Sequence, residues 1–144
     1  MIPSIQRILL SLGESGCYFL SMLWLSEMAK GRQWNVVAEF ADMKALGYVG
    51  EDGYVLDASA AFTLLMHERW ECVKAGDTHP LLLNYQLKKE EREVLRYEYT
   101  DTAGKTHAHF VAGDGRGGVA FDPMGTSESV KQGRVVSRRI FRRL

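Results

Sequence analysis

The sequence predicts an α+β fold: helices over roughly residues 1–68, then an antiparallel sheet over roughly residues 69–144. Three observations lead there. The N-terminal half repeats apolar residues at helical spacing, with capping residues at the segment ends. The C-terminal half alternates with a period of two and is punctuated by turn sequences. The change of character comes once, near Pro80, with no internal repeat and no linker, so helices and strands are segregated. The 144 residues suffice for one domain with a real core.

The elements follow in order. Residues 2–11 read as a short helix, with Pro3 tolerated in its first turn, and residues 13–16 break it. From Cys17 to about Ala29 apolar residues cover most of the circumference, the pattern of a buried central helix that Gly31 ends. Asn35 caps a helix to about Leu46, with Gly47 at its C-terminal end, and Asp57 caps another to about His67. Trp24, Trp34, Phe40, Tyr48 and Phe62 are the expected core between helices. Trp70–Val73, Leu81–Tyr85, Glu93–Tyr99, His107–Ala112, Val119–Phe121 and about Val135–Phe141 read as strands. Turns are expected at Asp101–Gly104 and Asp114–Gly118, and Asp122-Pro123 stops the short strand before it. In Glu93–Tyr99, Val94, Arg96 and Glu98 take one face and Leu95, Tyr97 and Tyr99 the other. Glu90–Glu93 reads as an exposed turn or strand edge, and the basic run Arg138–Arg143 as a solvated terminal strand.

Charge and cysteine usage narrow the function classes. Formal net charge is zero, so no global field draws the chain to nucleic acid or membrane. Two cysteines in unlike contexts make no disulfide framework, and reduced thiols favour the cytoplasm. Neither a signal peptide nor a membrane span is expected: Ile8–Leu10 is too short for the former, and Tyr18–Leu25 for the latter. No cofactor is expected. His107, His109, Cys17 and Cys72 lack the spacing of a strong zinc site, so no metal is expected either. Residues 113–118 have neither the following helix nor the Gly-Lys-Ser/Thr of a phosphate loop, and read as a hairpin turn.

Cys17 carries the chemistry. It sits where a turn-forming stretch, residues 13–16, meets an apolar helix. A helix N-terminus offers free N–H groups and partial positive charge, which favour the thiolate. A nucleophilic cysteine needs a base, and the base needs an orienting group. His107 and His109 share a face of one strand, and Asp122 ends the partner strand after the Gly-rich turn. A hairpin brings the start of one strand beside the end of the next, within reach for a His–Asp pair. Against this stands the plainer reading of Cys17 as a small buried hydrophobe, of His109 as a structural strand residue and of Asp122 as a turn initiator. Cys72 reads as core or strand filler.

Three stretches carry a resemblance: Gly16-Cys17-Tyr18-Phe19, His109-Phe110-Val111 with its Gly-rich sequel, and Val119-Ala120-Phe121-Asp122-Pro123. In that order they resemble the papain-like cysteine peptidase superfamily, in particular its compact bacterial and phage-borne branches such as the bacteriocin-processing peptidases. The matching stretches touch both ends of the chain and about a third of its length. The resemblance implies a papain-like fold and hydrolysis of an amide bond in a peptide or peptide-like substrate, including peptidoglycan peptides. It assigns Cys17 as nucleophile, His109 rather than His107 as base, Asp122 as orienting group and the Cys17 N–H as an oxyanion donor. The sequence lacks the Asp-Cys-Ser-Gly usual in one group of peptidoglycan hydrolases. It also departs where the family carries, as second oxyanion donor, a glutamine about half a dozen residues before the cysteine. Ser11 stands there and is one candidate for that donor; Gln6 is the other, if residues 7–16 make a longer excursion. The alternative on the same fold is a non-catalytic module that grips a peptide segment.

Overall fold

Four helices precede the first strand in the computed structural model, which describes residues 4–75 and 84–144. They are α1 (Ser4–Ser15), α2 (Cys17–Lys30), α3 (Val36–Ala45) and α4 (Ala58–Met66). Then come β1 (Trp70–Ala75), β2 (Arg92–Thr100), β3 (Thr106–Gly113), β4 (Val119–Phe121), α5 (Glu128–Gln132) and β5 (Arg134–Arg143). The strands form one open antiparallel sheet in the order β1-β5-β2-β3-β4. The architecture is α+β.

Local chemistry explains the helix ends. The Asn35 and Asp57 side chains accept from the N–H groups of Ala38 (3.1 Å) and Ala60 (3.0 Å), satisfying donors that a helix start leaves unpaired. α1 runs four residues further than expected, through Gly13 to Ser15, because one glycine in a helix costs only about 1 kcal/mol. The break falls at Gly16, where the chain bends by 89° into α2. Among the described residues no single helix is long and apolar enough to cross a membrane.

α2 is the central helix. Phe19, Met22, Leu23 and Leu25 pack with Phe40 and Met43 of α3, Phe62 and Leu65 of α4, and Val94, Ala112 and Phe141 of the sheet. Each fully buried large side chain contributes on the order of 1.5–3 kcal/mol. Trp24, Trp34 and Tyr48 are partly buried against this core, and Trp24 stacks on Phe121. The opposite face of the sheet carries a smaller cluster, Leu95, Tyr97 and Val111, packed against Val130 of α5 and Val135 of β5.

Four sequence expectations need correction or completion. Of the strand expected over Leu81–Tyr85, residues 81–83 lie outside the described residues, while Asn84 and Tyr85 are not in a strand. α5 was not expected at all. Ser127 caps this single turn through the Val130 N–H (3.4 Å). The basic run is a strand, as expected, but not simply a solvated one: β5 lies between β1 and β2, and Arg138, Ile140 and Phe141 are buried. Glu93 is likewise not exposed but fully buried, as the partner of Arg138. Its carboxylate accepts from Arg138 Nε (2.8 Å) and the Gly115 N–H (3.1 Å), and Arg138 also donates to the Tyr85 carbonyl (2.7 Å). Glycine at 113 makes room for this carboxylate, since a Cβ there would stand 2.6 Å from Glu93 Cγ.

Candidate active site

Cys17 is the first residue of α2, at the corner between two helices. Gly16 makes that corner tight. Its N–H bonds to the Leu12 carbonyl (3.2 Å), and a Cβ at 16 would meet the same oxygen at 2.6 Å. No side chain caps the start of α2. Its first-turn N–H groups, that of Cys17 among them, are thus left without a side-chain acceptor.

β3 supplies the second partner. β4 pairs with β3 only at Ala112 and Gly113, so among the described residues the His107–His109 stretch has no strand neighbour on that side. The start of α2 is fastened there. Tyr18, next to Cys17, stacks on Phe110, next to His109, with ring centroids 4.6 Å apart. The buried Ser21 hydroxyl faces two carbonyls, that of Cys17 at 2.7 Å and that of Phe110 at 3.4 Å. Cys17 and His109 face one cavity, and the thiol raises the affinity of the His109 ring for a proton.

Asp122 completes the line. His109 Nε2 lies 2.6 Å from Asp122 Oδ1, and both side chains are only 6% exposed. The carboxylate is itself held: the Met124 N–H donates to Oδ1 (2.9 Å) and the Ser127 hydroxyl to Oδ2 (2.9 Å). Burial pushes the Asp122 carboxyl up, but the bonds from His109, Met124 and Ser127 outweigh it and hold it below the ordinary range. An ionised carboxylate only accepts, so His109 Nε2–H donates to it. Nδ1 is then the ring nitrogen left for Cys17. Burial lowers the affinity of His109 for a proton, yet bonding to Cys17 and Asp122 carries the net shift upward.

Cys17, His109, His107 and Tyr99 open onto one cavity of about 420 Å³, with Leu20 and Met124 among its walls. This site lies within a chain whose residues 4–143 match the family described as "Protein of unknown function, DUF261". The chain belongs to the DUF261 family. No curated protein and no solved structure matches it.

Other sequence-predicted residues of this DUF261 protein are placed differently. His107 has its own carboxylate: Nε2 lies 2.8 Å from Asp101 Oδ2, and the ring stacks on Tyr99 at 4.9 Å. It shares the cavity but not the partners of His109. Ser11 turns away and donates to the Glu51 carbonyl (3.2 Å). Gln6 is exposed, and the excursion that would deliver it does not occur. Residues 7–15 are continuous helix, and a rise of about 1.5 Å per residue leaves Gln6 about 15 Å from the corner, more than a glutamine spans. Neither Gln6 nor Ser11 lines the cavity. Cys72 lies apart, its Sγ 3.7 Å from the Tyr18 hydroxyl, and burial pushes its thiol up to about 11. Among the described residues no group of three or more His, Cys, Asp and Glu side chains is arranged to hold a metal ion.

Sequence reasoning missed Ser21 and Ser127. Ser127 had a readable signal, a serine just ahead of Glu128 at a helix start. Ser21 had none, because its bond to the Cys17 carbonyl is ordinary within a helix and its other partner, the Phe110 carbonyl, lies on another element.

The electrostatics of the pair give a signed expectation. The raised His109 pKa stabilises the fold fully below the ordinary value of ~6.5, and this is lost as pH climbs through the folded value. The lowered Asp122 pKa contributes above ~3.9 and is lost as pH falls through the folded value. The pair therefore stabilises most between those two ordinary values. In an NMR titration the His109 midpoint is expected above 6.5, falling in Asp122→Asn, whose amide cannot balance an imidazolium. An unchanged midpoint in that variant would contradict the assigned partnership.

Proposed function

We propose that this DUF261 protein is a cysteine-dependent hydrolase of papain-like architecture, cleaving an amide bond in a peptide or peptide-like substrate. One observation carries the reading. His109, bonded to a buried and pinned carboxylate, shares a cavity with a cysteine at an uncapped helix start. A nucleophile, a base and an orienting group in line are what acyl transfer requires.

The steps follow from that arrangement. His109 Nδ1 takes the thiol proton, and the Cys17 sulfur attacks the scissile carbonyl carbon. Charge collects on the carbonyl oxygen, where the Cys17 N–H at the start of α2 can donate to it. As the C–N bond breaks, the imidazolium gives its proton to the leaving amine, and a thioester remains. Water then attacks the thioester, with His109 taking its proton and returning it to the sulfur. A carboxylic acid and free Cys17 result. Asp122 keeps the ring in the tautomer that leaves Nδ1 available and balances its charge when protonated.

A second reading, a papain-like module that grips a peptide without cleaving it, is favoured by one fact. The two side chains proposed as second oxyanion donor, Gln6 and Ser11, are both outside the cavity. Loss of one such donor typically costs about 10²–10³-fold in turnover.

Iodoacetamide labelling read by mass spectrometry separates the two. Under the hydrolase reading Cys17 is alkylated far faster than Cys72, and His109→Ala slows the reaction. Cys72 is the internal control: its thiol, buried and pushed up to about 11, stays unlabelled. Alkylation of Cys17 at a rate indifferent to His109 sinks the hydrolase reading in favour of the gripping module.

A further inference from the structure

The β1, β5 and β2 strands carry a second concavity, separate from the cavity at Cys17. We propose that it is a binding site for a phosphate group on a small ligand, formed by Lys74, Arg134, Arg139 and Ser137. The inference does not rest on the hydrolase reading.

Sheet register brings these residues together. Lys74 stands opposite Arg139, Arg96 opposite Ser137, and Glu98 opposite Arg134. Directly opposed residues of a ladder share a face. Arg134 and Arg139 are five apart and would ordinarily point to opposite faces. The register shift between Arg96 and Tyr97 skips Val136 and puts both on one face. The resulting concavity measures about 590 Å³, room for a phosphate and part of the group that carries it.

The charges there do not balance. Glu98 is its only carboxylate among the described residues, and it pairs with Arg96. Lys74, Arg134 and Arg139 have no carboxylate partner among those residues, leaving three positive charges uncompensated. Arg139 is also preset. Its guanidinium lies over the Phe110 ring at 5.0 Å and near that of Tyr18 at 5.7 Å, and it donates to the Ser137 hydroxyl. Burial, with the neighbouring Arg96 charge, loosens its hold on its proton, so an anion there would relieve an existing strain of like charges. A monocarboxylate would leave most of this charge unmatched. A phosphate dianion offers three acceptor oxygens to a guanidinium fork, a second guanidinium and an ammonium.

The test uses the full chain, with inorganic phosphate and pyrophosphate titrated calorimetrically at fixed ionic strength. Saturable one-site binding is expected, together with a rise in unfolding temperature that chloride at matched ionic strength does not reproduce. Lys74→Gln and Arg134→Gln alter exposed side chains and should keep the fold by circular dichroism. Each is expected to weaken binding by about tenfold, the size of one charge-assisted contact. Three results overturn the proposal: no saturable binding of either anion, wild-type affinity in both variants, or binding of single-stranded oligonucleotide alone. The last would mark a polymer-binding surface instead. Arms with phosphoserine and with a nucleoside monophosphate then separate peptide-borne from nucleotide-borne phosphate.

Discussion

Cys17→Ala is expected to abolish hydrolysis, lowering kcat/KM on any fluorogenic peptide amide the wild type cleaves by a factor on the order of 10³ or more. Removing the sulfur removes the acyl-enzyme path, and His109 has no second nucleophile in the line to activate. His109→Ala should cost nearly as much, and the double variant little more, since residues that act as one unit are strongly non-additive. Asp122→Asn should fall between these variants and wild type, with its activity profile shifted in pH, because the ring loses its charge partner but not its place. Cys72→Ala should leave the rate unchanged, since its buried thiol lies against Tyr18 rather than His109. The Cys17 side chain is only partly buried, so Cys17→Ala should unfold near the wild-type temperature. Hydrolysis surviving in Cys17→Ala would end the assignment. Turnover lost together with the fold would instead make Cys17 a core residue.

The largest stability effect is expected from Arg138→Met. Glu93 is fully buried, and Arg138 bonds its carboxylate through Nε (2.8 Å) and Nη2 (2.7 Å). Removing one member of such a pair strands the other charge away from water, at a cost of about 3–5 kcal/mol. For a chain of this size that corresponds to a fall on the order of 10 °C in Tm. The double variant Glu93→Met/Arg138→Met should recover much of the loss, because two apolar side chains leave no charge to desolvate. The recovery should be incomplete, since the Gly115 N–H also loses its acceptor. Urea unfolding of both variants measures this. A single-variant loss below about 1 kcal/mol would show that water reaches the pair.

The two expectations differ in how far they were legible in the sequence. Helix caps were readable, because a cap is a contact between residues three apart: Asn35 with Ala38, Asp57 with Ala60. The facing of β2 was readable for the same reason, since alternation is a local property, and Val94 and Leu95 lie in opposite cores. Glu93 illustrates the limit. In sequence it belongs to the polar run Glu90–Glu93, and nothing local distinguishes it. Its burial comes from Arg138, 45 residues away, and from a glycine at 113 that leaves space for the carboxylate. The basic terminal run misled for a related reason. Charge suggested a solvated strand, yet β5 became an interior one whose apolar residues, Ile140 and Phe141, are completely buried.

For the candidate site, the sequence alone determined the order of Cys17, His109 and Asp122 and their settings: a helix start after glycine, a strand, and a turn after a short strand. Those settings depend on neighbours along the chain, which propensity and spacing report. Only the tertiary structure decided which histidine faces which carboxylate, that Ser127 and Ser21 brace the site, and that Gln6 and Ser11 stand outside it. It alone gathered from β1 and β5 into one concavity three cations that have no carboxylate partner among the described residues, through a single skipped residue in a strand. The physical reason is shared. Such contacts join side chains far apart in sequence, and their strength depends on how much water the rest of the fold removes from around them.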